Sequence, residues 1–243
     1  MGAGQLRGWI TMKTIGLIGG VSTEATLIYY KTINAEVRRR LGGYHSAEMR
    51  IHSVNFHDYN GAHDTRDWDF IRAGFDHAAK GLKSAGADFI ILACNTLHTV
   101  ADAIENATDL PFLHIVDACG ARLKRDGFKQ PGLLGTAFTM SEPYFVDRLE
   151  KSTGIKAVLP DANTQRELSR IIFDDLTHGI VREDAIAYYQ AAIQTLKIQG
   201  CDSIILGCTE LGMLISEKNS PLPIYDTALI HCDAIVDRAL CTT

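Results

Sequence analysis

The sequence predicts an α/β fold: two similar open parallel-sheet domains related by a pseudo-twofold axis, with a ligand cleft between them. Three observations predict it. Short β-branched runs alternate with longer segments of helical period, the pattern of βαβ units. One phrase occurs twice, as Gly86-Ala-Asp-Phe-Ile-Ile-Leu-Ala-Cys94-Asn-Thr-Leu97 and as Gly200-Cys-Asp-Ser-Ile-Ile-Leu-Gly-Cys208-Thr-Glu-Leu211. With Cys94 set on Cys208, Gly, Asp, Ile, Ile, Leu, Cys and Leu coincide. A second pair, Gly16-Leu-Ile-Gly-Gly20 and Gly132-Leu-Leu-Gly-Thr136, matches at Gly, Leu and Gly.

Taken in order, Ile15–Ile18 is a strand that ends at Gly19-Gly20, and Ser22 caps the helix carrying Leu27, Ile28, Tyr30 and Ile33. Met49–Phe56 reads as a strand, followed by a polar loop through Asp69 and a helix over 70–84. Strand Phe89–Ala93 delivers Cys94, Cys94-Asn-Thr opens a helix, and Pro111–Val116 is a further strand. The second half repeats the order. Thr139–Leu149 is a helix, Ala157–Pro160 a strand, and Asn163–Thr177 and Glu183–Gln199 are helices. Strand Ser203–Gly207 delivers Cys208, Pro221–Tyr225 is a strand, and a helix over 228–240 closes the chain. Residues 12–115 with 226–243 then form one flavodoxin-like domain and residues 116–225 the other. Residues 1–11 read as a Gly-rich extension before a native start at Met12.

The 243 residues are 46% hydrophobic and 22% charged, which marks an ordered globular chain. A net charge of −5 argues against nucleic-acid and anionic-membrane partners. The one basic run, Arg38-Arg39-Arg40, reads as a solvated helix end. No apolar stretch approaches the roughly 20 residues a membrane helix needs. Six cysteines without regular spacing or a secretion signal imply reduced thiols in the cytoplasm.

In open parallel sheets, ligands bind at the carboxyl ends of the strands. Both cysteines and both glycine turns fall there. A thiolate is the reactive form of cysteine, and a helix amino terminus lowers its pKa, so Cys94 and Cys208 are both placed for activation. Cys119, Cys201, Cys232 and Cys241 read as packing residues. Facing thiols suit the inversion of a carbon bearing hydrogen, which needs a base on one face and an acid on the other. The resulting carbanion needs fixed donors around a carboxylate. Asn95, Thr96 and Thr209 supply them beside the thiols, with Thr136 and Ser22 opposite. Glu210 either tunes Cys208 or holds an ammonium group. Thr96, Thr209 and Ser22 are equally plain helix caps, and Glu210 an ordinary first-turn carboxylate.

Ile15-Gly-Leu-Ile-Gly-Gly-Val-Ser22, Ala93-Cys-Asn-Thr-Leu-His98 and Gly207-Cys-Thr-Glu-Leu211 resemble the signature blocks of the aspartate/glutamate racemase family. The likeness runs from Met12 to Leu240. It is greatest to a bacterial group with, in some members, broad amino-acid specificity, through Leu41–Ser46, Phe112–Asp117 and Ile171–Asp175. The resemblance implies a pyridoxal-phosphate-independent racemase that uses Cys94 and Cys208, needs no cofactor or metal, and forms a homodimer. Its site then lies between domains, with Val21, Ser22, His63, Asn95, Thr96, Thr136, Thr139, Asp175, Thr209 and Glu210 around the amino-acid substrate. Val21 stands where the family usually has Met. Aspartate-specific members place basic residues where this chain has His57, His63 and, in the second domain, Asp175. An acidic Asp175 would repel aspartate and favour a neutral, hydroxylated or longer side chain.

Two readings compete. Related decarboxylases and cis-trans isomerases of small carboxylic acids use cysteine at these strand ends, and a non-catalytic small-acid binding protein could share the fold. His52, His57 and His63 cluster with Asp58 and Asp64, but without the close ligand pairs of a structural zinc site.

Overall fold

The computed structural model describes residues 12–241, so the extension expected at 1–11 lies outside them. The first half runs β1 (Ile15–Gly19), α1 (Thr23–Leu41), β2 (Met49–Ser53), α2 (Phe56–Asp64), α3 (Trp68–Ser84) and β3 (Phe89–Leu92). A 3₁₀ turn (Thr96–Val100), α4 (Ala101–Ala107) and α5 (Ile115–Asp126) follow. The second half runs β4 (Pro131–Leu134), α6 (Ala137–Ser141), α7 (Pro143–Thr153), α8 (Ala162–Asp174), a 3₁₀ turn (Leu176–His178), α9 (Glu183–Ile198) and β5 (Ser203–Leu206). Another 3₁₀ turn (Leu211–Met213), β6 (Ile224–Asp226) and α10 (Thr227–Leu240) complete it.

Two parallel sheets form, ordered β2-β1-β3 and β4-β5-β6. An isolated bridge adds Phe112 beside Ile90 of β3, and another adds Val158 beside Gly132 of β4. The two sheets then share one order, with each glycine strand beside its cysteine strand. They also share one register, since Gly16 pairs with Ile90 and Gly132 with Ile204. Gly16 and Gly132 allow that packing: a Cβ on Gly16 would lie 2.9 Å from Ala87 Cβ, and one on Gly132 2.8 Å from Leu196 Cδ1. β1, β3, β4 and β5 are wholly buried, which is why they read as unbroken apolar runs.

α10 returns to the first sheet, where Cys232, Ile235 and Val236 pack with Tyr29, Ile33 and Val37 of α1. Arg40 is part of this seam rather than a solvated end: its guanidinium holds Glu36, Asp233 (2.6 Å) and Asp237. α5 joins the core of the second sheet through Ile115, Cys119 and Leu123.

Several expected elements differ. The polar loop before Asp69 contains helix α2. The strands at Pro111–Val116 and Ala157–Pro160 shrink to single bridges. His114 caps α5 directly after the first of these, its ring accepting from Val116 N–H at 3.2 Å. The helix expected at Thr139–Leu149 breaks at Glu142 because Pro143 starts a new one, where its missing N–H costs nothing.

Candidate active site

The carboxyl ends of β1, β3, β4 and β5 open onto one cleft of about 600 Å³, its mouth included. Cys94 and Cys208 both line it. So do Val21, Ser22, Asn95 and Thr96 from the first half, and Thr136, Thr209 and Glu210 from the second. Gly20 makes the first turn possible: its φ is +87° and a Cβ there would fall 2.2 Å from the Val54 carbonyl oxygen. Ser22 follows and does two things at once. Its Oγ accepts from Ala25 N–H at 3.2 Å, capping α1, and donates to Glu210 Oε1 at 2.9 Å.

Glu210 is the electrostatic centre. Its Oε2 accepts from the Cys208 thiol at 3.0 Å and from Thr209 Oγ at 2.6 Å. With Ser22 on Oε1, a carboxylate only 4% exposed is satisfied on both oxygens. On the other side, one Asn95 N–H donates to Thr227 Oγ at 3.0 Å, and Thr227 donates to the Leu206 carbonyl at 2.7 Å. Thr227 has spent its proton, so it can only accept from Asn95. That fixes the amide and leaves Asn95 Oδ1 buried with no partner. Thr96, Thr136 and Thr139 join their hydroxyls at 3.1–3.4 Å, and Thr139 reaches Tyr144 OH at 3.1 Å.

The thiols depart from expectation in one respect. Neither strand end runs into an α-helix; each meets a 3₁₀ turn. Burial therefore dominates. It pushes Cys94 up to about 12, against which the Thr96 and Leu97 backbone N–H groups act in the lowering direction. Burial and the adjacent Glu210 push Cys208 well above its ordinary value. Cys94 is held from behind, where its carbonyl lies 2.5 Å from His98 Nδ1. Ile115 N–H donates to His98 Nε2 at 3.4 Å, so Nδ1 carries the proton.

Two expected substrate contacts do not reach the cleft. Asp175 ends α8 facing Arg182, whose Nε donates to it at 2.8 Å. Thr139 is fully buried behind Thr136. His63 does line the cleft, boxed by Trp68 and Phe138 with Nε2 unpartnered, whereas His57 is exposed and outside it. Among the described residues no three of His, Cys, Asp and Glu gather as a metal site, and no helix is long and apolar enough to cross a membrane.

Sequence reasoning missed one whole wall. Phe56, Tyr59 and Asn60 on α2 line the cleft with His63, and their i, i+3, i+4, i+7 spacing is a helix face that could have been read. Ile172, Phe173 and Thr177 line it from the end of α8 and the following turn. Thr227 was also missed.

The family model for Asp/Glu/hydantoin racemases matches residues 18–235. The chain belongs to that family. It is thus an isomerase of the amino-acid racemase kind. A broad-specificity amino-acid racemase of Bacillus subtilis is 26% identical over 93% of this chain and 98% of its own length. A glutamate racemase of Pseudomonas entomophila is 32% identical over 71% of this chain, and the match spans 63% of that protein. Among solved structures, a candidate Asp/Glu racemase from Yersinia pestis is 41% identical, with a TM-score of 0.90 over 95% of this chain and 100% of that one. An aspartate racemase homologue from Pyrococcus horikoshii is 32% identical, with a TM-score of 0.82 over 94% and 99%. The racemase fold therefore extends over both sheets.

Proposed function

We propose that this family member is a cofactor-independent racemase that moves one proton at Cα between Cys94 and Cys208. The observation that carries the reading is that both thiols line one cleft from equivalent strand ends of the two sheets. Raised pKa values keep both thiols protonated at rest near neutral pH. The Cys208 proton moves to Glu210 Oε2, its hydrogen-bond acceptor, and the thiolate takes the α-hydrogen. The Cys94 thiol then protonates the opposite face, leaving its own thiolate. The opposite enantiomer runs this sequence backwards, with the Cys94 thiolate as base and the Cys208 thiol as acid, after which the Glu210 proton returns to Cys208. Repeated turnover in one direction returns that proton to Cys94 through solvent. The Thr96 hydroxyl, whose proton no other group holds, donates to the substrate carboxylate, where carbanion charge develops. Asn95 Oδ1 and Glu210 are acceptors for the ammonium, whose positive charge favours the thiolate. The substrate is a free amino acid, drawn from aspartate, glutamate or a broader set. The setting is cytoplasmic, where thiols stay reduced, and the assembly is a homodimer.

Pure protein with single-enantiomer amino acids in D₂O should give α-deuteration with loss of optical activity. Cys94→Ser and Cys208→Ser should each abolish racemisation, and each should retain exchange from one enantiomer only. Equal residual racemisation in either variant, or decarboxylation without racemisation, overturns the mechanism.

A further inference from the structure

Beyond the thiols the cleft must hold whatever the α-carbon carries, and the side chains available there are aromatic, aliphatic, amide or hydroxyl, with His63 the one imidazole. Ser22, Thr96, Thr136, Thr209 and Glu210 surround the reacting end. The wall left for the side chain comes from α2, with Phe56, Asn60 and His63, and from α8 and its following turn, with Ile172, Phe173 and Thr177. Phe56 and Phe173 are 37% and 42% exposed although they line a cleft, so a guest seated between them removes apolar surface from water. Asn60 and Thr177 are neutral; Asn60 gives an N–H to Asp64 and Thr177 its hydroxyl to the Phe173 carbonyl.

Charge selects in the same direction. Among the described residues no Lys or Arg lines the cleft, and Glu210 is the one carboxylate that does. The neighbouring guanidinium groups are engaged elsewhere: Arg182 on Asp175 at 2.8 Å, Arg170 on Glu167 at 2.7 Å and Arg66 on Glu142 at 3.0 Å. A side-chain carboxylate would lose its water beside an existing anion, with no fixed guanidinium or ammonium to meet it.

We propose that the preferred substrate carries an uncharged side chain of the size of leucine or methionine, gripped between Phe56 and Phe173, in preference to aspartate or glutamate. The proposal rests on the racemase reading but separates from it experimentally. It replaces the reasoning from Asp175, which faces Arg182 instead of the cleft.

The test compares enantiopure methionine, leucine, homoserine, aspartate and glutamate by deuterium exchange, with equilibrium binding of the same panel by calorimetry. Methionine or leucine should exceed aspartate and glutamate in kcat/KM by at least roughly tenfold. Phe173→Lys should move the ratio toward glutamate by roughly tenfold or more, and Asn60→Arg gives the same readout from the opposite wall. Aspartate or glutamate turning over best in the unmodified protein overturns this proposal and leaves the racemase reading standing. If no amino acid exchanges, the racemase reading fails, and calorimetry still decides this one: methionine must bind more tightly than glutamate, and the reverse order overturns it.

Discussion

Under the proposed mechanism, Glu210 is the base that takes the proton of a thiol whose ionisation is opposed by burial and by the same carboxylate. It accepts hydrogen bonds from Cys208, Thr209 and Ser22, three donors on two oxygens, and it is buried. Glu210→Gln keeps the shape but supplies one oxygen where there were two, and a far weaker base. The expected outcome is a fall in kcat of about 10²-fold or more with little change in KM, read by polarimetry. In the unmodified protein, kcat/KM should not climb as pH rises from 7 to 9, because burial keeps both thiols protonated at rest there and the Cys208 proton moves within the site to Glu210. A kcat/KM that rises about tenfold per pH unit between pH 7 and 9 would contradict that assignment and make bulk deprotonation of a thiol the controlling step. Both thiols were legible in the sequence, because internal repetition marks a residue type that packing alone does not demand. Their ionisation was not. A helix amino terminus was expected, and a 3₁₀ turn with dominant burial reversed the sign. Asp175 was placed on the right element, but sequence does not give the rotation of a helix end, and its carboxylate meets Arg182.

Between elements, Thr227 at the start of α10 ties the loop after β3 to the end of β5. Asn95, next to Cys94, donates to it, and it donates to Leu206, two residues before Cys208. One fully buried hydroxyl thus spans both thiol-bearing strand ends. Thr227→Val conserves shape and strands a buried amide N–H and a carbonyl together, a cost of about 2 kcal/mol in unfolding free energy. Its kcat should fall by more than its KM changes, and Thr227→Ser should restore both, which a purely structural threonine would not require. Equal kcat for the Val variant and the unmodified enzyme would remove Thr227 from the machinery. The four central strands were readable because buried parallel strands are continuous apolar runs, whereas their order in each sheet came from the structure. α2 escaped because its buried face is short, with Tyr59 and Ala62 set among polar residues and Gly61 inside it. Packing against α3, where Tyr59 stacks on Phe75 at 5.4 Å, holds it as a helix and confirms the weak periodicity of its face.

At the scale of the whole molecule, stability should be lost toward acid and toward strong alkali, because titratable groups are buried in their neutral forms. His98, His114 and His231 lie together beneath the Cys94 loop, with centroids of 4.4 Å for His98–His114 and 6.3 Å for His98–His231. Burial lowers all three, His231 to about 4 and His114 to about 2. The unfolded chain takes up protons near pH 6.5, whereas the folded chain resists until its own lower values. Stability is therefore full above pH 6.5 and falls as pH drops through that window, by roughly 3 kcal/mol for His231 alone. Asp226 works in the opposite sense: burial raises it to about 6, so protonation relieves it as pH falls. One carboxyl does not offset three imidazoles. The buried thiols govern the other limb, since Cys94 and Cys119 are raised from 9.0 to about 12. Their contribution is complete below pH 9 and is lost as pH rises toward 12. Urea midpoints should fall between pH 7.5 and pH 5, and His231→Asn should flatten that slope even though it lowers the midpoint at pH 7.5. A midpoint that holds or rises toward pH 5 would show that the imidazoles beneath Cys94 accept protons without unfolding.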